Sequence, residues 1–292
     1  MKFKMIASLA VLFGCVSAQA IEAPGIDSEY FHQAPSGVSE VRPHVNYTSY
    51  TTKYPNGGGE ATVKGYRDLG ARYEYGINEM ISVYGDLSIS GLESKLGTTT
   101  TTTSGLDDLE FGFLGNSAMG MGSLRYGLMA NYGIGKMKAD TNSSGGLGLM
   151  PYVGYDMTAG PGFWGARLSY NYKLERTGEG TGGDTKMKDG HILGLGTFYE
   201  YLLSDMILGG RLQYDMMADT KTTAPGVADS TAKTDPLLTI GAYTRIPLGP
   251  GVLLAGLDYL SYMGKKAGTT NGNDNIDGFS GFNLNAGYRI AF

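Results

Sequence analysis

ATVKGYRDLGARYEYGI, the sequence of residues 61–77, alternates between apolar and polar side chains along most of its length. Tyr73 and Tyr75 share one parity, and Arg72 and Glu74 share the other. A period of two residues puts these two sets on opposite faces of a β-strand. The stretch therefore predicts a strand with one apolar face and one charged face.

Arg67 is the one charge that breaks this alternation, because it has the parity of the tyrosines. On the N-terminal side of Arg67, the same alternation assigns Val63 and Gly65 to the apolar face and Lys64 and Tyr66 to the polar face. The sequence thus predicts an arginine on the apolar side of this strand, near one end.

Twelve segments of the chain share this alternation, and we predict a strand for each. They cover residues 41–52, 61–77, 80–92, 106–116, 124–136, 147–158, 163–176, 191–202, 206–218, 237–247, 252–263 and 280–292. At about 11 to 17 residues they are longer than ordinary strands of about 5 or 6. About 9–11 tilted residues are enough to cross a bilayer.

The connections between these segments alternate in length. Short turns rich in Gly, Pro, Asn and Asp are predicted at 78–79, 159–162, 203–205 and 248–251, with a somewhat longer link at 117–123. Long polar loops, predicted to be solvated, cover 53–60, 93–105, 137–146, 177–190, 219–235 and 264–279. Short turns at one end and long loops at the other are the plan of a transmembrane β-barrel.

Aromatic residues on the apolar parity gather near both ends of the segments. One group lies toward the short turns and comprises Tyr73, Tyr75, Trp164, Tyr199, Tyr201, Tyr288 and Phe292. The other lies toward the long loops and comprises Tyr47, Tyr132, Tyr170, Tyr172, Tyr214 and Tyr259. Two such belts are expected where a barrel meets the two bilayer interfaces.

The chain ends in Asn285-Ala-Gly287-Tyr-Arg-Ile290-Ala-Phe292. This ending resembles the C-terminal signal of Gram-negative outer-membrane barrels, and Asn285, Gly287, Ile290 and Phe292 match its four fixed positions. The resemblance implies an outer-membrane location among lipid and lipopolysaccharide. It also implies that periplasmic chaperones and the barrel-assembly machinery handle the chain.

The N-terminus predicts an export signal. Two lysines precede an apolar run, and Ala18-Gln-Ala20 has the form of a signal-peptidase site. We therefore divide the chain into a signal peptide at 1–20, a periplasmic or lumenal segment at 21–40 and a barrel at 41–292. Cleavage at Cys15 with lipidation is the alternative to cleavage after Ala20.

Composition excludes several functions of this 292-residue chain. The net charge of −5 gives no basic field for nucleic acid, and one cysteine cannot build a cysteine-rich zinc site. We predict no cofactor and no metal, although alternating Asn and Asp at 271–277 are similar to the start of a calcium loop.

The fold class predicted is all-β, a closed antiparallel up-and-down transmembrane barrel of about twelve strands. A secreted all-β protein is the alternative.

The polar parity defines a predicted lumen with charges of both signs. The lumen-lining charges are Arg72, Glu74, Asp86, Glu110, Arg125, Asp156, Arg167, Glu200, Arg211, Asp215, Arg245, Asp258 and Arg289. Many other inward positions are glycine, which either widens the bore or relieves curvature strain. Two hypotheses follow: a passive, porin-like channel for small polar solutes, or a structural or surface-interaction barrel closed by salt bridges. Whether such barrels form a homo-oligomer is left open.

A surface hydrolase is a further alternative. Asp189-Gly190-His191 resembles the Asp-x-His pair of the omptins, a family of outer-membrane proteases. The family also needs an Asp-x-Asp pair, whereas this chain has the adjacent Asp107 and Asp108, which point to opposite faces. We therefore predict that the protein is not an enzyme.

Overall fold

The computed structural model describes residues 29–54, 59–133, 146–180, 183–188, 190–223, 230–263, 267–269 and 278–292. The predicted signal peptide lies outside these residues. The strands are β1 (Ser39–Tyr54), β2 (Gly59–Gly76), β3 (Ile81–Leu96), β4 (Thr99–Leu106), β5 (Leu109–Met119), β6 (Gly122–Tyr132), β7 (Leu147–Ala159), β8 (Gly162–Lys173), β9 (Arg176–Gly180), β10 (Gly183–Lys188), β11 (Ile192–Leu203), β12 (Met206–Met217), β13 (Thr220–Thr223), β14 (Ser230–Thr234), β15 (Leu237–Leu248), β16 (Gly251–Tyr262), β17 (Ala267–Thr269) and β18 (Gly278–Ala291). No helix in the described ranges is long and apolar enough to cross a bilayer.

Twelve long strands form a closed antiparallel barrel. Their order around the barrel is β1, β2, β3, β5, β6, β7, β8, β11, β12, β15, β16 and β18, and β18 pairs with β1 to close the ring. The last strand lies along the first, with Ile290 opposite Val41 and Ala286 opposite Val45. Closure gives every strand two neighbours, which a sheet surrounded by lipid requires. The predicted fold class is confirmed.

The connections at one end of the barrel are all tight. The predicted longer link at 117–123 is wrong, because β5 and β6 pair as far as Met119 and Gly122 and leave a two-residue turn. Gly120 in this turn has φ of 62°. Glycine reaches such a φ at little cost, which suits the two-residue hairpin turn.

The other end is more ordered than the sequence predicted. The solvated loop predicted at 93–105 is a hairpin in which β3 continues to Leu96 and the threonine run forms β4. Threonine is β-branched and favours strands, which explains this difference. Parts of the loops at 177–190, 219–235 and 264–279 form a second sheet, in the order β17, β14, β13, β10 and β9.

A bulge in β2 accounts for Arg67. The register of β2 against β3 shifts between Tyr66 and Leu69, and Asp68 has a positive φ of 53°. The extra residue reverses the alternation, so that Arg67 lines the interior and Tyr66 lies 38 % exposed on the outside. The predictions that placed Arg67 on the apolar face and Tyr66 on the polar face are therefore wrong.

The outer surface of the barrel is apolar. Its middle carries exposed aliphatic and aromatic side chains that include Leu87, Phe111, Leu168, Leu195, Leu212, Ile240, Leu257 and Leu284. Toward the ends lie exposed rings that include Tyr73, Tyr75, Trp164, Tyr199, Tyr201, Tyr47, Tyr132, Tyr170 and Tyr259. So much exposed apolar surface around a closed sheet is suited to lipid, and barrels of this design span outer membranes.

A charge at the middle of this surface should be costly. Leu257 is near the centre of β16 and is 50 % exposed. We expect Leu257→Arg to lower the free energy of unfolding by about 2–4 kcal/mol, measured by denaturant titration in lipid vesicles. Met121→Arg, in the turn between β5 and β6, is the control and should cost far less. Equal costs for the two variants would contradict a lipid-facing position for Leu257.

Candidate functional site in the barrel lumen

The predicted lumen-lining charges lie on the inner side of the wall, where many of them form ion pairs. Arg125 donates two hydrogen bonds of 3.0 Å to the carboxylate of Asp156. Arg211 binds Asp258 through Nε at 2.9 Å, and Arg72 binds Glu74 at 3.0 Å. A carboxylate oxygen of Asp86 lies 3.6 Å from Nε2 of His44. The carboxylate of Asp215 accepts a hydrogen bond from the side-chain amide of Gln213. Glu110 and Arg167 line a central cavity.

The chain preceding β1 enters the bore. We call residues 29–38 the inner segment. It joins the wall at the short-turn end. There the N–H of Gly37 donates to the carbonyl of Gly76, and the N–H of Gly76 donates to the carbonyl of Val38. Phe31 and Ala34 are 8 % and 2 % exposed. Residues 29–38, the described part of the predicted segment that precedes β1, therefore lie in the lumen.

Glu200 on β11 anchors the inner segment by its main chain. Its carboxylate accepts hydrogen bonds from the backbone N–H of Glu29 at 3.0 Å and of Tyr30 at 2.8 Å. It also accepts one from the hydroxyl of Tyr243 at 2.7 Å. Glu200 is fully buried, so each of these bonds is made away from bulk water. A second carboxylate, that of Glu74, accepts from the N–H of Ala34.

Glu29 is anchored by its side chain. Arg289 donates to both carboxylate oxygens at 2.7 and 2.9 Å, and Nε of Arg245 lies 3.8 Å away. Burial alone would raise the pKa of Glu29. Arg289, His32 and Arg245 outweigh that effect and hold the pKa of this carboxyl below its ordinary value. Glu29 is therefore an anion inside the bore.

Aromatic rings pack the inner segment against the wall. The ring of Tyr30 stacks on Phe198 with centroids 4.4 Å apart and planes 16° apart. Phe31 meets Phe198 edge-on at 5.5 Å and is nearly parallel to Tyr152 at 6.3 Å. Phe198 is only 2 % exposed, so these rings fill the half of the bore that lies toward the short turns.

Inward glycines make room for these rings. A Cβ on Gly154 would lie 2.5 Å from the ring of Phe31, and one on Gly76 would lie 1.9 Å from the carbonyl oxygen of Pro35. Here the missing side chains accommodate the inner segment. They do not simply widen the bore.

Beyond the inner segment the lumen holds a cavity of about 660 Å³. Its lining includes Glu29 and Tyr30 of the inner segment, together with Arg42 and His44 of β1. One side, from β2 to β5, carries Asp68, Asp86, Asp107, Asp108 and Glu110 together with Arg67, and the opposite side carries Arg167 and Arg211. Asp107 is held by the hydroxyls of Ser88 and Ser90 at the break between β4 and β5. The cavity is polar and carries charges of both signs, with the acids concentrated between β2 and β5.

Three large aromatic residues on the inner face of the wall were not predicted as lumen residues. Tyr152, Phe198 and Tyr243 share the parity of Asp156, Glu200 and Arg245 on their own strands. A large ring on the polar face of a barrel strand needs something to cover it. That mismatch was the available signal that the bore has an occupant.

The hydrolase residues do not form a described site. Asp189 lies outside the described residues. His191 stacks on Tyr172 with ring centroids 4.7 Å apart and also meets Tyr170. Both tyrosines are exposed on the outer surface. The calcium-like stretch at 271–277 also lies outside the described residues, and no group of metal-ligating side chains is found within them.

The residues of the C-terminal signal lie in the seam that closes the barrel. Asn285 is opposite Asn46 of β1 and Gly287 is opposite His44. The backbone of Phe292 exchanges hydrogen bonds with Ser39 at 2.9 and 3.1 Å. These residues therefore lie in the strand whose pairing with β1 closes the barrel.

Known structures share this architecture. An outer-membrane channel from Pseudomonas putida F1 matches with a TM-score of 0.65 at 12 % identity, over 92 % of this chain and 100 % of that one. The translocator domain of the autotransporter NalP from Neisseria meningitidis matches at 0.52 and 14 %, over 98 % and 97 %. The transport unit of AIDA-I from Escherichia coli matches at 0.54 and 10 %, over 94 % and 95 %.

The fold is that of an outer-membrane β-barrel. At these identities the likeness concerns the fold alone. No protein-family model matches the sequence, and no curated protein matches it either.

Proposed function

We propose that this barrel is a passive, porin-like channel for small polar solutes. The observation that carries the proposal is the polar cavity of about 660 Å³ enclosed by the wall. A structural barrel has no need of such a space, whereas a solute path requires one. Charges of both signs around the cavity would favour polar solutes and reject apolar ones. The outer-membrane channel from Pseudomonas putida F1 supports the proposal only by its similar fold.

The described state has its short-turn half filled by the inner segment. Conduction therefore requires the segment to move. The alternative function, a structural or surface-interaction barrel with a closed interior, is favoured by the same segment and by the ion pairs of the wall. The two functions differ in whether displacement of the segment opens a path.

Gly76→Val tests this difference. Its side chain would clash with the backbone of Pro35 and Ala34 in the inner segment. In planar bilayers we expect small or infrequent current steps from the intact chain and steps several times larger from the variant. Gly210→Val is the matched control, because a Cβ there meets only a backbone oxygen of Gly241 at 4.0 Å. If neither the intact chain nor Gly76→Val conducts, the channel function is wrong.

Two further proposals concern catalytic activity and the role of the C-terminal residues. We propose no catalytic activity for this chain. We propose that Asn285, Gly287, Ile290 and Phe292 present the last strand to the assembly machinery, in a membrane that contains lipopolysaccharide. Deletion of Phe292 should then reduce assembled barrel in cells, scored by heat-modifiable gel mobility, while refolding in detergent is retained.

A further inference from the structure

We propose that residues 29–31 are a built-in occupant of a ligand site on the barrel wall. When the inner segment leaves, this site takes a small carboxylate that carries an aromatic ring. The inference rests on the proposed channel function, because the solute would reach the site through the bore. It goes beyond that function by assigning the chemistry of a bound solute and the residues that hold it.

One half of the site recognises the carboxylate. Arg289 is 7 % exposed and makes a two-pronged contact with Glu29, a geometry that suits any carboxylate. Nε of Arg245 faces the same carboxylate at 3.8 Å. That nitrogen is buried and makes no hydrogen bond within the described part of the chain. It is a donor left unused by Glu29 and available to a ligand oxygen that approaches more closely.

The other half recognises an aromatic ring. Phe198 is fixed by the wall itself, since its ring fills the position where a Cβ on Gly165 would be. Tyr152 lies over Gly127 in the same way. Both rings belong to wall strands and pack over wall glycines, which favours a stacking surface that exists before a ring arrives. Such preorganisation lowers the cost of binding.

The two halves lie within reach of one small molecule. The residues that occupy them, Glu29 and Tyr30, are adjacent in the chain, and both line the cavity. A solute in the cavity is therefore next to the site.

The charge at the carboxylate half of the site favours an anion over a cation. Arg245 on β15 and Arg289 on β18 lie near the short-turn ends of their strands and both face the carboxylate of Glu29, while Glu40 lies 3.9 Å from Nε of Arg289. Arg42 lines the adjoining cavity. An aromatic amine that placed its ammonium group where the Glu29 carboxylate lies would meet these two guanidinium groups and be repelled.

The experiment uses a variant that lacks residues 29–34. Current through single channels is recorded with 3-phenylpropanoate as the probe, and with propanoate and 2-phenylethylamine as the matched controls. We expect 3-phenylpropanoate to block the variant at concentrations about tenfold or more below those needed for the intact chain, where Glu29 competes. Neither control should block. Arg289→Gln in the same deletion should weaken the block by about tenfold or more, because it removes a charge-assisted contact.

A second arm uses the segment itself as ligand. An acetylated peptide of sequence EYFHQA, identical to residues 29–34, should restore low conductance when it is added to the deletion variant. Should the deletion fail to fold, Glu29→Gln combined with Phe31→Ala replaces it.

The outcomes separate this inference from the proposed function. A variant that conducts but is blocked neither by 3-phenylpropanoate nor by the peptide overturns the inference and leaves the channel intact. Equal block by 2-phenylethylamine also overturns it. A folded variant that never conducts overturns the channel function. Calorimetric titration with 3-phenylpropanoate then decides the ligand site independently, since heat of binding needs no current.

Discussion

Glu200→Leu should release the inner segment from the bore. Leucine removes the acceptor for the backbone N–H groups of Glu29 and Tyr30. A hydrogen bond to a charged group contributes about 1.5–3 kcal/mol. Loss of two such bonds therefore moves the balance between docked and released segment by about a hundredfold or more toward release. Hydrogen exchange measured by mass spectrometry on peptides that span residues 29–34 reports this shift.

Glu200→Gln is the control for that experiment. A glutamine keeps one carboxamide oxygen as acceptor and turns its other arm into a donor, so one of the two backbone bonds survives. We expect an intermediate gain in exchange, about tenfold. Peptides from β12 report whether the barrel stays folded in both variants. Unchanged protection of residues 29–34 in Glu200→Leu, with β12 protected, would show that Glu200 does not hold the segment.

The fold was largely predictable because its rule is local and repetitive. Alternation along each strand places charges such as Arg125 and Glu200 inside and residues such as Leu257 outside. A closed barrel is expected when twelve such strands each have one apolar face. Where the rule failed, at Arg67, a single inserted residue reversed the parity of half a strand. Nothing in the order of the residues distinguishes such a bulge from a misplaced arginine.

The candidate site was less predictable because it is built from distant parts of the chain. Glu29 and Arg289 are 260 residues apart in sequence and form one ion pair. Alternation of apolar and polar residues predicts orientation only for strands. The sequence therefore left two positions, periplasmic and lumenal, for residues 21–40. The inward glycines were interpreted as space or as relief of strain. Their real neighbours, such as Phe31 above Gly154, appear only in three dimensions.

Arg125→Met should be among the most destabilising single changes in the wall. Arg125 and Asp156 are 7 % and 4 % exposed and share two hydrogen bonds of 3.0 Å. Removal of the arginine leaves a buried carboxylate without its counter-charge. Breaking a buried pair in this way costs about 3–5 kcal/mol. Denaturant titration of the refolded barrel in vesicles measures the loss.

The double variant Arg125→Met with Asp156→Leu shows what the pair itself contributes. Once both charges are gone, no desolvated carboxylate remains, and we expect most of the lost stability to return. The exposed pair of Lys64 and Glu93 is the matched control, with side chains 53 % and 43 % exposed. Lys64→Met should cost no more than about 1 kcal/mol, because water screens that pair. If Arg125→Met costs as little as Lys64→Met, water reaches Asp156 and the short-turn half of the bore is not closed. That result would favour an open channel over a barrel sealed by its inner segment.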